Sequence, residues 1–329
     1  MGAASNSLRT TAYKPALAWF AAFGSAWVFA LVALGAFTTS IGAGMAFPDW
    51  PLSNGSLNPP GWLSNLAMFA EHSHRLSAGV MGTVTIVLAV WLWRTEVRAW
   101  LRQLAWFAVG LVLVQGVVGG LRVLFDRLQV PMVDTSLGRL FAMAHAVLAQ
   151  IYVCTLLAIA IASSRAWLGP HTASPGASLR RAGVICCALL LGQLAVAAVM
   201  RHSFAGLAIP TFPSSTTEGG LLPEMWNFRV GLHFAHRVLA AVLALAVGWF
   251  AIKIWTDRAA SLVMRCGAST LVSLVALQIL LGAQIIWTNR AAMMTTGHVL
   301  VGALTLAITF WLTWFAHRDV VEARAAARH

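Results

Sequence analysis

The sequence predicts an all-α integral membrane protein: eight transmembrane helices forming two pseudo-two-fold related four-helix bundles. Composition sets the class. Of 329 residues, 59% are hydrophobic and only 10% charged, whereas a soluble domain carries about a quarter charged residues to cover its wet surface. Soluble globular, disordered and fibrous chains are thereby excluded. Apolar runs set the count, since a spanning helix takes roughly 20 apolar residues and eight such runs are present. An internal repeat sets the arrangement.

The first run, 17–39, follows a polar, basic N-terminus, MGAASNSLRTTAYK. It is too long for the apolar core of a signal peptide and no small-residue cleavage site follows it, so it reads as a retained anchor. The second, 65–93, ends at Arg94; the third, 103–125, starts after Arg102; the fourth, 139–163, stops before Arg165. The fifth, 182–200, begins after Arg180 and Arg181, and the sixth, 229–252, ends at Lys253. The seventh, 266–288, follows Arg265, and the eighth, 293–316, precedes Arg318.

The N-terminus, the connections after runs two, four and six, and the C-terminal tail hold 14 of the 22 basic residues, Arg9, Arg324 and Arg328 among them; the loop 40–64 holds none. Basic residues collect on cytoplasmic loops, which predicts both termini inside and the two long loops, 40–64 and 201–228, outside. The net charge of +12 then records topology and contact with anionic membrane lipid. No nucleic-acid partner is expected, because no such motif accompanies it. Cys154, Cys186, Cys187 and Cys266 lie within apolar runs, so no outer disulfide framework is expected. The long loops are rich in Gly, Pro, Ser and Asn yet contain Trp50, Trp62, Phe212 and Trp226. They read as ordered caps over the membrane surface, or else as an interfacial aromatic belt.

The repeat is read residue by residue. At a shift of 162, Gly44 to Pro51 falls on Gly206 to Pro213, and His74-Arg75 falls on His236-Arg237. At 163, Gln115 and Gly119 fall on Gln278 and Gly282; at 153, His145 falls on His298. The chain divides into halves 1–164 and 165–329. Each begins and ends inside, so the repeats are parallel and their axis lies along the membrane normal.

Of ten histidines, the four that pair through the repeat are His74, His145, His236 and His298. Each lies in the outer part of an even-numbered run, where ionisable side chains by default suggest function. Two imidazoles facing each other inside a four-helix bundle suit an axially ligated haem. A bare zinc or copper ion wants a third or fourth ligand. Arg75, Arg122, Arg237 and Arg290, near the outer helix ends, suit the propionates, although snorkelling to headgroups explains any one of them. Gly116, Gly119, Gly120, Gly282 and Ala283 leave room for a flat ligand or for plain helix packing. The halves differ at one telling place. Glu71, three residues before His74 and so on the same helix face, is matched by His233. A carboxylate there suits orientation of the histidine, proton movement or charge stabilisation, and nominates the first half for chemistry.

Pro48-Asp49-Trp50-Pro51-Leu52, Asn54-Gly55, Glu71, His74-Arg75, Gln115-Gly116 and Gly119-Gly120-Leu121-Arg122-Val123 together resemble the heme A synthase family. The resemblance covers nearly the whole chain, including the duplicated eight-helix layout. It implies an oxidoreductase that converts the C8 methyl of haem O to a formyl group, giving haem A for terminal oxidases, in a bacterial-type inner (cytoplasmic) membrane with the haem sites toward the outer face. By position it implies substrate haem O/A at His74 and His145, haem b at His236 and His298, and Glu71 as the functional carboxylate. It also implies haem O synthase, an electron-transfer partner and oxidase assembly factors as partners. Many bacterial members carry a cysteine at each end of the first outer-loop motif; here Phe47 and Ser53 stand in those places, and Ile209 and Ser215 in the second loop. The other readings are a di-haem b-type cytochrome that only transfers electrons, and a haem-handing chaperone. Glu71, its asymmetry with His233 and the long loops favour the enzyme. A plain transporter fits least, with no broken-helix pair bearing midplane charge.

Overall fold

Long apolar stretches with no interior proline satisfy their own backbone hydrogen bonds as helices, the only open-ended solution in lipid. The computed structural model describes residues 11–131, 134–169 and 175–326, and eight of its helices are long and apolar enough to cross a membrane. They are α1 (Pro15–Ser40), α2 (Leu66–Thr95), α3 (Ala99–Leu124), α4 (Leu137–Ala162), α5 (Ala177–His202), α6 (Phe228–Thr256), α7 (Leu262–Trp287) and α8 (Ala292–Ala316). The chain is a multi-pass membrane protein. Arg9 and Arg328, used above for orientation, lie outside the described residues.

Capping explains where several helices begin. Asn65 and Asn227, repeat partners, accept backbone N–H bonds at the starts of α2 and α6, as Ser136 and Ser261 do for α4 and α7, filling donors that have no intrahelical partner. Helices α3, α5 and α7 start four or five residues earlier than the apolar pattern predicts. Their first turns carry Arg102, Arg180 and Arg265, whose guanidiniums donate back to the preceding connections at Glu96 O (2.9 Å), Pro175 O (2.6 Å) and Asp257 O (3.2 Å).

Neighbouring helices close each half into a ring: α1 on α2, α2 on α3, α3 on α4 and α4 on α1, then α5 through α8 in the same order. Between the halves, α1 meets α8, α4 meets α5, and α4 meets α8. Exchanging the halves leaves this set of neighbours unchanged. Each half has its own core, built around Met81, Leu88, Leu101 and Tyr152 in the first and Cys186, Phe250, Leu271 and Leu306 in the second. All four cysteines are free.

The end away from the long loops is closed by rings of both halves. Trp100, Trp167, Trp314 and Phe315 pack against one another, and buried Arg98 pairs with Glu96 at 3.0 Å and Glu322 at 3.1 Å. Burial pushes the Glu96 carboxyl up, but the Arg98 guanidinium more than offsets it and holds the group below its ordinary range. A short helix, Arg318–Ala326, supplies Glu322, which also accepts from Trp167 Nε1 at 2.7 Å.

The loop end is ordered, as the aromatic content predicts. In both loops the chain folds back at once, Ala43 donating to Thr38 O (2.8 Å) and Ala205 to Met200 O (2.9 Å). Phe47 and Ile209, repeat partners, then plug into the bundles at 0% and 2% exposure. In the first loop the Asp49 carboxylate accepts from the Asn54 and Gly55 N–H groups, each at 2.8 Å, across a turn in which both residues take positive φ. Slight desolvation raises the Asp49 carboxyl, but those N–H bonds outweigh it and hold it below the usual range.

Candidate functional site

The four repeat-paired histidines come together as two pairs, one inside each half. His236 on α6 and His298 on α8 face each other with ring centroids 6.4 Å apart. His74 on α2 and His145 on α4 are electrostatic neighbours in the first half. Small residues admit the rings. A Cβ on Gly35 of α1 would lie 2.7 Å from the His74 ring, one on Gly119 of α3 3.2 Å from His145, and one on Gly282 of α7 3.3 Å from His298. Of the other small residues, Gly120 lies against the Trp50 ring of the first loop, while Gly116 faces open space.

Hydrogen bonds fix two of the tautomers. His145 Nδ1 lies 3.2 Å from Gln115 O, and His298 Nδ1 3.1 Å from Gln278 O. A carbonyl only accepts, so each Nδ1 carries the proton and each Nε2 offers a lone pair, the arrangement a metal-ligating histidine needs. His236 is held differently. Gln193 Nε2 on α5 donates to its carbonyl at 3.1 Å and lies 3.1 Å from its Nδ1 and 3.4 Å from its Nε2, contacts that hold the ring without fixing its tautomer. The first half has Leu31 in place of Gln193, so no side chain braces His74 there and it meets only the Leu31 backbone. The second pair is therefore the more firmly held.

This donor set suits one kind of ligand. Among the described residues no group of three or more His, Cys, Asp or Glu side chains converges on a point, so a tetrahedral metal site is not built. Two imidazoles about 2 Å from one shared ion, each ring centre about 1 Å further back, have centroids about 6 Å apart. The 6.4 Å of His236 and His298 fits two axial nitrogens with a flat group between them.

Above each pair sits a loop clasp. In the first half Glu71, 4% exposed, accepts from Phe47 N–H at 3.1 Å and from Arg75 Nη2 at 2.5 Å. In the second, His233 Nδ1 stands 3.2 Å from Ile209 N and its Nε2 3.3 Å from Arg237 Nε. A neutral imidazole has one lone pair for two donors, whereas the carboxylate takes both, so the His233 clasp is the weaker. The sequence places Glu71 on the face of His74; the structure turns its carboxylate up to the loop instead, because the loop N–H and Arg75 supply its hydrogen bonds. Arg75 and Arg237, expected near the propionates, are engaged by the loops. Arg75 donates to Asp49 O, Leu52 O and Phe47 O, and Arg237 to Ser214 O, Ile209 O and Thr211 O, so both knit the loop caps. Arg122 holds the Gly44 carbonyl in the same way, while Arg290 is exposed at the α7–α8 turn with φ +67°.

Three groups escaped the sequence reading. Gln193 is an amide in an apolar run, and its depth level with His236 was its only signal. Arg201 and His202 end α5, two ionisable residues that the apolar pattern leaves in the loop. His72, 3% exposed, bonds through Nδ1 to Ser53 Oγ at 3.0 Å, and the repeat places Phe234 opposite it.

A profile of the cytochrome oxidase assembly protein family (COX15-CtaA) matches residues 18–310. The chain belongs to this family. Similar proteins include the heme A synthase of Alkalihalophilus pseudofirmus, 27% identical over 298 residues that cover 86% of this chain and 92% of that protein. Those of Shouchella clausii, 28% identical over 84% of this chain and 88% of the relative, and Geobacillus kaustophilus, 26% identical over 95% of each, match to similar extent. For this member of the cytochrome oxidase assembly protein family, the matched stretch contains α2 to α7 whole, most of α1 and α8, both loop caps, Glu71 and the four paired histidines.

Proposed function

We propose that the chain is a membrane oxidoreductase of heme A biosynthesis that oxidises the C8 methyl group of haem O to a formyl group, yielding haem A. The observation that carries this reading is the pairing of His236 with His298 at 6.4 Å, repeated by His74 and His145 beneath a clasp that differs between the halves. Family membership and the similarity to heme A synthases support it.

In this reading the first half, residues 1–164, takes haem O, with His74 and His145 facing its iron. The second half, 165–329, retains haem b between His236 and His298. The unequal support of the pairs favours that division. A cofactor that stays wants both ligands braced, as Gln193 and Gln278 brace His236 and His298; a substrate that enters and leaves is served by the less constrained His74. Charge favours it too. The Glu71–Arg75 clasp is neutral overall, while in the second clasp Arg237 has no carboxylate beside it, where the propionates of a permanent haem would emerge.

Two successive oxidations, written with water as the oxygen source, each add one oxygen atom to the same carbon and release two protons and two electrons to an external electron acceptor, first giving the alcohol, then a gem-diol that loses water to the aldehyde. The bundle's part is positioning, since holding one methyl group at the oxidant is where most of the barrier reduction arises. Haem b, when bound, supplies one-electron transfer toward an external redox partner. Glu71 is the carboxylate of the reaction. A neutral imidazole suffices for the equivalent loop clasp, so a buried charge in the first half serves the chemistry as proton carrier or charge stabiliser. The sites face outward from a bacterial-type inner membrane with both termini in the cytoplasm, and haem O synthase and oxidase assembly factors are the partners that supply haem O and take haem A.

Acid–acetone extraction of the purified protein, with chromatographic separation and mass detection, tests the reading. Haem B with haem O, the hydroxylated intermediate or haem A is the expected result. Haem B alone, from cells that also make haem O, makes the chain an electron-carrying cytochrome.

A further inference from the structure

We propose that Arg201 is the carboxylate clamp of the second half, taking a propionate of the haem between His236 and His298. The inference rests on the haem reading above. Arg201 lies on α5 eight residues beyond Gln193, which touches His236; this is two turns toward the loop end, about 12 Å at ~1.5 Å per residue. Its Nη2 donates to Ala36 O at 2.8 Å and Ser40 Oγ at 2.9 Å, both on α1 of the other half. Ser40 Oγ also accepts from Thr296 Oγ1 at 3.2 Å, two residues before His298. The guanidinium is thus pinned where α1, α5 and α8 meet, within electrostatic reach of His298.

No carboxylate answers it. Arg75, Arg98 and Arg229 each pair with a carboxylate; the charged side chain that acts on Arg201 is Arg290, of the same sign. A largely buried cation with neutral acceptors and a like-charged neighbour is unfavourable by itself, and an anionic ligand relieves it. Among the described residues only Nη2 is bonded, so the Nη1 N–H donors stay free for one oxygen of a carboxylate. The repeat supplies no copy. Thr39 stands at the equivalent place, and Arg122, the buried guanidinium nearest the first pair, sits on α3 where the second half has Ile285. The clamp therefore belongs to the half that retains its haem.

The test uses the full-length haem-loaded protein in detergent. In Arg201→Gln, haem B passes to excess apomyoglobin on the order of tenfold faster or more, the worth of a charge-assisted hydrogen bond. Its midpoint potential falls, because a positive charge favouring the reduced iron has gone. Arg201→Lys keeps the potential near that of the parent while losing part of the retention. Ser40→Ala cuts the tie to α1 without changing charge and leaves the potential in place. Parent-like haem loss and potential in Arg201→Gln overturn the clamp, as does a Ser40→Ala potential shift as large as that of Arg201→Gln, which makes the role structural. His236→Ala separates the two levels. If it retains full haem B the haem reading itself fails; if it strips haem B while Arg201→Gln is indifferent, only the clamp fails.

Discussion

Replacing Glu71 separates the two jobs its carboxylate holds, clasping the first loop and serving the reaction. Alanine removes the acceptor of two donors that stay buried, Arg75 Nη2 at 2.5 Å and Phe47 N–H at 3.1 Å. Both bonds end on the charged carboxylate and are worth about 1.5–3 kcal/mol each; the donors recover part of that from other acceptors, so the cap loses about 2–4 kcal/mol. Arg75 keeps three loop carbonyls, which holds the loss below the ~3–5 kcal/mol of a wholly broken buried pair at its upper end. The cap then opens roughly 30 to 1,000 times more often, and amide hydrogen exchange of peptides spanning 44–53 reads that directly. Glu71→His copies the second half and restores one acceptor for two donors, so its exchange falls between alanine and the parent. Both variants keep haem, because Glu71 is not an iron ligand, and both stop making haem A from supplied haem O. Haem A formation by Glu71→His within a few-fold of the parent refutes a chemical role for the carboxylate and leaves only the clasp. Parent-like exchange in Glu71→Ala refutes the clasp.

His236→Ala or His298→Ala should strip haem B while the first half still takes up haem O; full haem B in either variant removes the ligand assignment. In Gly119→Leu the side chain claims the space of the His145 ring, already 3.2 Å from a Cβ at that position; the extracted haem should be haem B with the substrate haem lost, and unchanged substrate haem contradicts the packing. Arg98→Ala leaves Glu96, 3% exposed, without its partner and should destabilise the protein by about 3–5 kcal/mol, read by denaturant unfolding in micelles. The same pair sets a pH dependence. The Glu96 carboxyl lies below its ordinary range when folded, so its stabilisation is complete above the ordinary carboxylate pKa of about 4 and fades as pH falls through the lower folded value. Arg98→Ala should flatten most of that acid-side slope, leaving the smaller part due to the residue-98 N–H and Lys14, and an undiminished slope assigns it to other carboxylates.

The number of the spans, the duplication and the four histidines were legible in the sequence, because lipid imposes a length of apolar chain and a repeat preserves spacing. The early starts of α3, α5 and α7 were not legible, because Arg102, Arg180 and Arg265 look like loop residues until their guanidiniums are seen reaching back to carbonyls. Glu71 was found from its mismatch with His233, but which way it points was not, because helix spacing gives a face and not a partner. The same limit applied to Arg75 and Arg237. Beside His74 and His236 they look free for a ligand, and only the folded loops engage them. Arg201 shows the divide most clearly. Its sequence neighbours are those of a span that ends in two polar residues, while its acceptors, Ala36 and Ser40, lie some 160 residues away on the other half. Periodicity along the chain thus determined which residues enter the membrane and which recur. Which donor meets which acceptor was decided only in three dimensions, because helices packed side by side make a polar group's partner a neighbour in space.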